Sequence, residues 1–523
     1  MAGGALFFAI CCAVLAILYF TYKYIYAPFL VLKRLGVNHP SPSLFYGNAK
    51  DYWKYGSVNY LQDLARQYGP ICGFYYGVRP IVVVSDQEMV KQILVKDFDS
   101  FQDREPVVDF LRRKSTKYRG LVQARGDMWR NARQTISPSF SVMKLKVMAP
   151  LIQTSCKTLA DKFGECAVSN GAIDVSKLYG QFTMETILAV AFGRVVGVQR
   201  GEADDLTSAA MQLFRNPGSR SGMMIPLILD QFPFLEALVR YYSSHSTAAA
   251  AYSHLQRTAG ELVRARRAMG DRQKECKDLL QLMIDATDDS SGTSRKLTDE
   301  EIVTHSTTFL IAGYETTATS LSYASYLLAL HPSEQEKLHS EITSYFASHQ
   351  GEDLYDAVQG IQYLDHVLQE SLRLYPPVPI TSRLCTKSTE VGGVHIPKGT
   401  VVRVPVWVLH HDPHYWEEPE EFRPERFAVT DRLPLAHMPF GMGQRNCIGM
   451  RLALMSAKLA LIEIVRKYKI LQTKETEVPL TRRYGITMSP KNAAGIFSQN
   501  HSPHWSHSAI RPAPCGCLQL QNT

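Results

Sequence analysis

Cys447 stands in the segment Phe440-Gly441-Met442-Gly443-Gln444-Arg445-Asn446-Cys447-Ile448-Gly449, which runs into the largely apolar helical stretch Met450 to Val465. A thiolate at the start of a helix meets backbone N–H groups and the positive end of the helix dipole. Those donors favour the charged sulfur that a metal ligand must present. Gly443 and Gly449 let the backbone approach a flat cofactor closely. Phe440 is placed to lie beside such a ligand, and Arg445 to meet an anionic group on its edge. The competing reading is a buried structural cysteine in a glycine loop, a common fate for a lone cysteine.

The other cysteines add no second metal site. The chain holds 10 cysteines in 523 residues with no Cys-x-x-Cys pair, which argues against zinc or iron–sulfur ligation and suits a reducing compartment. The formal charge is +8, with basic groups at Arg264, Arg266 and Arg267 and at Arg466, Lys467 and Lys469. No interleaving of aromatic and basic residues favours nucleic acid, which leaves a membrane surface or an acidic protein as the partner for this charge.

Ala5 to Phe20 is uninterrupted apolar sequence, and the first charged side chain is Lys23. The stretch is long enough to cross a bilayer, which takes about 20 residues. Tyr19, Tyr22, Tyr24 and Tyr26 fall where an interfacial aromatic belt belongs, and Lys23, Lys33 and Arg34 place the bulk of the chain in the cytosol by the positive-inside rule. A cleaved signal peptide would need a basic start and a small-residue cleavage site, and neither is present. The expected division is an anchor over 1–22, a basic and proline-rich hinge over 23–45, a catalytic domain over 46–498 and a disordered tail over 499–523.

Thr298-Asp299-Glu300-Glu301 reads as a capping box, with Leu297 and Ile302 as the hydrophobic staple, opening a helix that continues to about Leu330 before His331-Pro332. Its centre, Ala312-Gly313-Tyr314-Glu315-Thr316-Thr317, combines small residues with an acid and a hydroxyl, a locally costly set unless partnered. Thr316 alone would be read as bonding back to a helix carbonyl. Glu370 and Arg373 stand at i and i+3 on one helical face, as do Trp129 and Arg133 at i and i+4.

The pattern Phe-x-x-Gly-x-Arg-x-Cys-x-Gly resembles the haem-ligand loop of the cytochromes P450, and the resemblance covers roughly Lys33 to Phe497. It implies a mainly α fold with small β-sheets, preceded by one transmembrane helix, and haem b ligated by Cys447. The Ala312 to Thr317 segment resembles the family's oxygen-binding groove, so that Thr316 is the catalytic hydroxyl and Glu315 its link to a proton source, with Ala312 against the cofactor. Glu370 and Arg373 resemble the Glu-x-x-Arg motif, and Arg426, in Pro424-Glu425-Arg426-Phe427, its partner; together they form a buried structural network. The resemblance also assigns Trp129, Arg133, Arg445, Arg104 and Arg383 to the haem propionates, and Phe440, Gly441 and Gly449 to the cofactor surface. Val378, Ile380, Thr381 and Ile486 to Met488 are expected to edge the substrate pocket, and Met223 to Leu229 with Phe232 to Leu235 to dip into lipid.

Three segments are closest to the third-family drug- and steroid-oxidising enzymes and to the related thromboxane synthases: Ala312 to Thr317, Asn446 to Arg451 and Lys474 to Leu480. The resemblance to the first group implies an endoplasmic reticulum monooxygenase that inserts one atom of dioxygen into lipophilic substrates such as steroids, xenobiotics and fatty acids. Its partners would be NADPH-cytochrome P450 reductase, with cytochrome b5 a further candidate. Arg125, Arg130 and Lys458 are candidates to receive the reductase's acidic face. The second group isomerises a prostaglandin endoperoxide without a reductase, and its oxygen helix lacks the threonine that Thr316 supplies here. A haem-binding protein without turnover is the third reading, and it has no need of Thr316.

Overall fold

The computed structural model describes residues 2–500, apart from 106–118, 170–171, 203–204, much of 216–243, 271–275, 277, 286–296, 352–353, 429–434, 486 and 493–494. The chain is mostly helical with small sheets, as the sequence implies. The helices that matter here are α1 (Ala2–Thr21), α2 (Gly126–Ile136), α3 (Val142–Ser169), α4 (Val175–Phe192), α5 (Thr247–Ala268), α6 (Asp299–Leu330), α7 (Gln362–Leu374), α8 (Val406–His410) and α9 (Met450–Lys467).

Helix α6 crosses the core, and local chemistry sets both its ends. The Thr298 hydroxyl accepts from the Glu301 N–H at 3.3 Å, and Glu301 accepts from the Thr298 N–H at 2.9 Å. Three acids in the first turn, Asp299, Glu300 and Glu301, complement the helix dipole. At the other end Pro332 pushes His331 out of the helical region, to φ −124° and ψ 75°, and opens the next helix. Helices α4 and α9 pack beside α6, and their buried Leu188, Leu321 and Leu461 belong to the principal core cluster. Each such side chain contributes roughly 1.5–3 kcal/mol through burial.

A four-stranded sheet flanks the helices, formed by β1 (Ile71–Tyr76), β2 (Arg79–Val84), β3 (Thr381–Leu384) and β4 (Val401–Val404) in the order β1-β2-β4-β3. Strands β2 and β4 are parallel, and the other two pairs are antiparallel. Farther along, β5 (Tyr468–Gln472) is followed by the hairpin β6 (Arg482–Tyr484) and β7 (Met488–Pro490), and then by β8 (Gly495–Asn500). Strand β8 pairs with β5 through Asn500, opposite Tyr468. The ordered body thus runs two residues past the expected boundary at 498, because Gln499 and Asn500 still find backbone partners. Residues 501–523 of the expected tail lie outside the described residues.

The N-terminal region is more structured than its composition suggests. Helix α1 lies within a helical run long and apolar enough to cross a membrane, and its apolar window is not buried in the rest of the chain. The run does not give way to a hinge at residue 23. It continues through a wide turn at Tyr22–Tyr26 and a tight one at Ala27–Leu30 into the short helix Val31–Arg34. This end is fastened to the sheet: the Tyr75 hydroxyl donates to the Phe29 carbonyl at 2.8 Å and accepts from the Leu32 N–H at 3.0 Å. Leu32 is fully buried. Only the segment around Ser41-Pro42 is extended, and the Asn48 amide ties it down through the Ser41 carbonyl at 3.1 Å.

Candidate functional site

Between α6, the loop before α9 and the C-terminal part of α7 lies a cavity of about 310 Å³. Cys447 lines it, with its side chain exposed to the cavity. The loop is held by its own backbone: the Cys447 N–H donates to the Phe440 carbonyl and the Gly441 N–H to the Met438 carbonyl, both at 2.9 Å. Burial pushes the Cys447 thiol up, against the opposing pull of the Gly449 N–H, Arg104 and Arg133. The helix start therefore supplies the lesser influence. A metal cation, which ionises a coordinating thiol outright, would tip that balance.

The glycines divide their labour differently from the sequence expectation. Gly441 adopts φ +73° and lines the cavity, as do Phe440 and Gly449. The nearest neighbour of a Cβ at Gly449 would be Phe140, at 4.0 Å, so this glycine keeps cavity space open. Gly443 instead serves packing: at φ +72° its Cβ would meet the Leu94 carbonyl oxygen at 2.0 Å. Gly313 of α6 likewise accommodates α4, since a Cβ there would sit 2.9 Å from Ile187. Ala312 lines the cavity.

Four arginines gather at one side. Arg133 donates to the Asn446 carbonyl at 3.0 Å and to Asn446 Oδ1 at 2.8 Å. Arg104 donates to the Arg445 carbonyl at 2.8 Å. Arg445 donates to the carbonyls of Gln102 at 2.9 Å and Ala124 at 2.7 Å, and its guanidinium lies 4.2 Å from the Trp129 ring centre. Arg383 sits behind the lining, bonded to Thr381 and to the Ser382 carbonyl. Burial and mutual repulsion hold Arg445 at about 9 and Arg383 well below its ordinary value. The buried Nε atoms of Arg104 and Arg383 have no hydrogen-bond partner. Orphaned donors among crowded cations fit an anionic group, and the propionates of haem are anions of the right kind. The donor set, with one sulfur and a flanking apolar wall, fits that cofactor as well.

On α6 the Thr316 hydroxyl lines the cavity and donates to the Ala312 carbonyl at 2.6 Å. Back-bonding and a place in the cavity are thus both true of it. The Glu315 carboxylate is turned to the C-terminal hairpin, where Arg483 Nη2 of β6 donates to it at 3.1 Å and to the Ser489 hydroxyl at 2.8 Å. Nothing in the sequence signalled Arg483, because its partner is 168 residues away.

Helix α7 presents Leu368 and Leu372 to the cavity, and it carries Glu370 and Arg373 fully buried. Arg373 donates to both carboxylate oxygens of Glu370, at 2.7 and 2.9 Å, and to the carbonyls of His410, Pro419 and Glu421, which uses all five of its N–H groups. Arg426 Nε adds a third contact to Glu370 at 3.0 Å. A pair so complete is stable as a unit, while removing one member would strand a buried charge at a cost of roughly 3–5 kcal/mol.

Of the remaining expectations, Val378 and Thr381 line the cavity, whereas Ile380, Thr487 and Met488 are not among the lining residues. Ile486, 223–226, 228–229 and 233–234 lie outside the described residues. Phe232, at the edge of that apolar segment, lies 6.1 Å from the Phe20 ring and 6.4 Å from the Tyr24 ring of the anchor region. Lys458 is not a free surface cation: it is buried, with its ammonium 2.8 Å from Asp365. Arg130 is more open and lies 3.7 Å from both Asp99 and Asp127. The sequence did not point to the wall from α4, made of Thr183, Thr186, Ile187 and Val190. These residues are part of an unbroken buried helix with no motif to mark them.

The model of the family described as Cytochrome P450 matches residues 37–497. Similar proteins include Cytochrome P450 3A29 of Sus scrofa, 35% identical over 91% of this chain and 93% of the relative. Cytochrome P450 3A5 of Homo sapiens is 34% identical over 86% and 88% of the two chains. Thromboxane-A synthase of Rattus norvegicus is 32% identical over 89% and 92%. With a family match over most of its length and a cysteine loop, an arginine cluster and an apolar cavity to fit haem, the chain belongs to the cytochrome P450 family, whose members bind haem b through a cysteine thiolate.

Proposed function

We propose that this protein is a membrane-anchored haem-thiolate monooxygenase acting on lipophilic substrates, with Cys447 as the residue whose thiolate would bind the iron. The observation that carries the reading is the presence in one cavity of the Cys447 sulfur and the Thr316 hydroxyl, with Glu315 adjacent in sequence. Haem, when bound, would supply the redox iron for the reduction of dioxygen. The chain's own residues do the rest. Cys447 would bind the iron as a thiolate, Arg104 and Arg133 would hold the propionates, and Trp129 and Arg445 keep that wall in place, with Arg383 adding positive charge from behind it. Thr316 Oγ1 swings from the Ala312 carbonyl to move a proton into the cavity. Glu315, once released from Arg483, takes a proton from water and passes it to Thr316. Leu121, Phe309 and Val378 exclude water and hold an apolar substrate. Electrons come from NADPH through NADPH-cytochrome P450 reductase, with cytochrome b5 a candidate second donor. The anchor sits in the endoplasmic reticulum membrane, with Lys33 and Arg34 and the catalytic domain on the cytosolic side.

The similarity to thromboxane-A synthases favours a second reading, an isomerase of a prostaglandin endoperoxide. Reconstitution with reductase and a panel of lipophilic compounds separates the two. Oxygenated product formed in proportion to NADPH supports monooxygenation, and Thr316→Ala should lower the rate of product formation by about a hundred-fold, the lower end of one general acid's contribution. Rearrangement of an endoperoxide without NADPH, undiminished in Thr316→Ala, would replace the first reading with the second.

A further inference from the structure

His410, at the end of α8, is fully buried between the Glu370–Arg373 network and the start of the cysteine loop. The Met438 N–H points at its Nε2 at 3.0 Å. An amide N–H can only donate, so Nε2 must be the unprotonated, accepting nitrogen. Nδ1 then carries the proton and donates to the Arg373 carbonyl at 3.0 Å. Arg373 returns a bond from Nη1 to the His410 carbonyl at 2.8 Å. The imidazole is thus fixed in one neutral tautomer by partners on both sides. The chain of bonds continues from Met438 to Gly441 and from Phe440 to Cys447.

Every titratable or charged group acting on this ring opposes a second proton. Arg373 lies against it, His411 follows it in sequence, and the His437 ring lies 5.6 Å away, centre to centre. The Glu370 carboxylate is already spent on two arginines. Burial and these neighbours hold His410 well below the ordinary histidine range.

We propose that His410 is a positioning residue for the cysteine loop: its neutral Nε2 anchors the Met438 amide and so fixes where the Cys447 sulfur stands. The proposal rests on the reading of Cys447 as the iron ligand, and it assigns His410 a role in ligation that the triad of Glu370, Arg373 and Arg426 does not itself perform. A glutamine is the informative replacement, because its amide offers one donor and one acceptor about as far apart as the two ring nitrogens.

The test uses full-length holoenzyme with His410→Ala and His410→Gln, read in two ways. Hydrogen exchange at the Met438 amide reports the bridge directly: it should accelerate by about ten-fold in His410→Ala, the loss of one buried hydrogen bond, and return to within about two-fold of the parent in His410→Gln. The carbon monoxide band of the reduced protein reports the sulfur: its red-shifted form should decay faster in the alanine variant and be rescued by glutamine. Should His410→Ala fail to fold, the glutamine variant alone must keep both readouts near the parent. Unchanged Met438 exchange in the alanine variant, or a glutamine variant no better than alanine, would overturn the proposal. A parent protein with no red-shifted band would instead refute the ligand assignment, and the exchange data would still decide whether His410 holds the loop.

Discussion

Arg104, Arg133, Arg383 and Arg445 crowd one side of the cavity, and among the described residues one carboxylate, Asp103, approaches them, 3.7 Å from Arg445. Without an anion this cluster is a source of strain, because buried guanidinium groups repel one another and Arg104 and Arg383 leave Nε unsatisfied. With a dicarboxylate cofactor in place the same charges become binding energy. Arg383→Gln should therefore raise the stability of the cofactor-free protein by about 1–3 kcal/mol, the penalty of one unsatisfied buried donor, and speed haem loss several-fold. Denaturant unfolding of the apoprotein and transfer of haem to a scavenger measure the two effects. Loss of stability in both forms would mean that Arg383 is a packing residue. At this scale much of the site was legible in the sequence: Cys447, Trp129, Arg133 and the Glu370–Arg373 spacing all signal through nearby residues. Arg483 and His410 were not legible, because each acts on a partner from a distant segment and no spacing rule connects them.

At the scale of elements, the cysteine loop depends on two glycines for opposite reasons. Gly443 lets the loop pack on Leu94, while Gly449 leaves space in the cavity. Gly443→Ala combines a positive φ with a backbone clash at 2.0 Å, and it should destabilise the apoprotein by about 1–3 kcal/mol. Gly449→Ala, with φ −87° and its nearest neighbour at 4.0 Å, should leave apoprotein stability within about 0.5 kcal/mol and weaken haem binding. Thermal unfolding with and without haem distinguishes them, and identical behaviour would show that the loop glycines are equivalent. The sequence treated both as cofactor contacts, since a glycine motif records that a side chain is excluded but not what excludes it. By contrast, the start of α6 was readable to the residue, because the Thr298 to Glu301 capping box is a local bond pattern.

The whole molecule is an α-helical body with an apolar N-terminal run, and the junction between the two is firmer than the composition of 23–45 implied. Proline and lysine there suggested a hinge, yet Leu32 is buried and Tyr75 bonds across the junction. A protein lacking 2–21 should unfold at the same denaturant concentration as the full chain. Removal of 2–35 should cost about 2–5 kcal/mol, from the burial of Leu32 and the two bonds of Tyr75. Equal stability of both truncations would restore the hinge. All of these features converge on a haem held by one sulfur. The decisive measurement is the carbon monoxide difference spectrum of the reduced full-length protein beside Cys447→Ser. Thiolate ligation by Cys447 predicts a strongly red-shifted Soret band that the serine variant lacks. A band typical of histidine-ligated haem, or the same spectrum from both proteins, would contradict it.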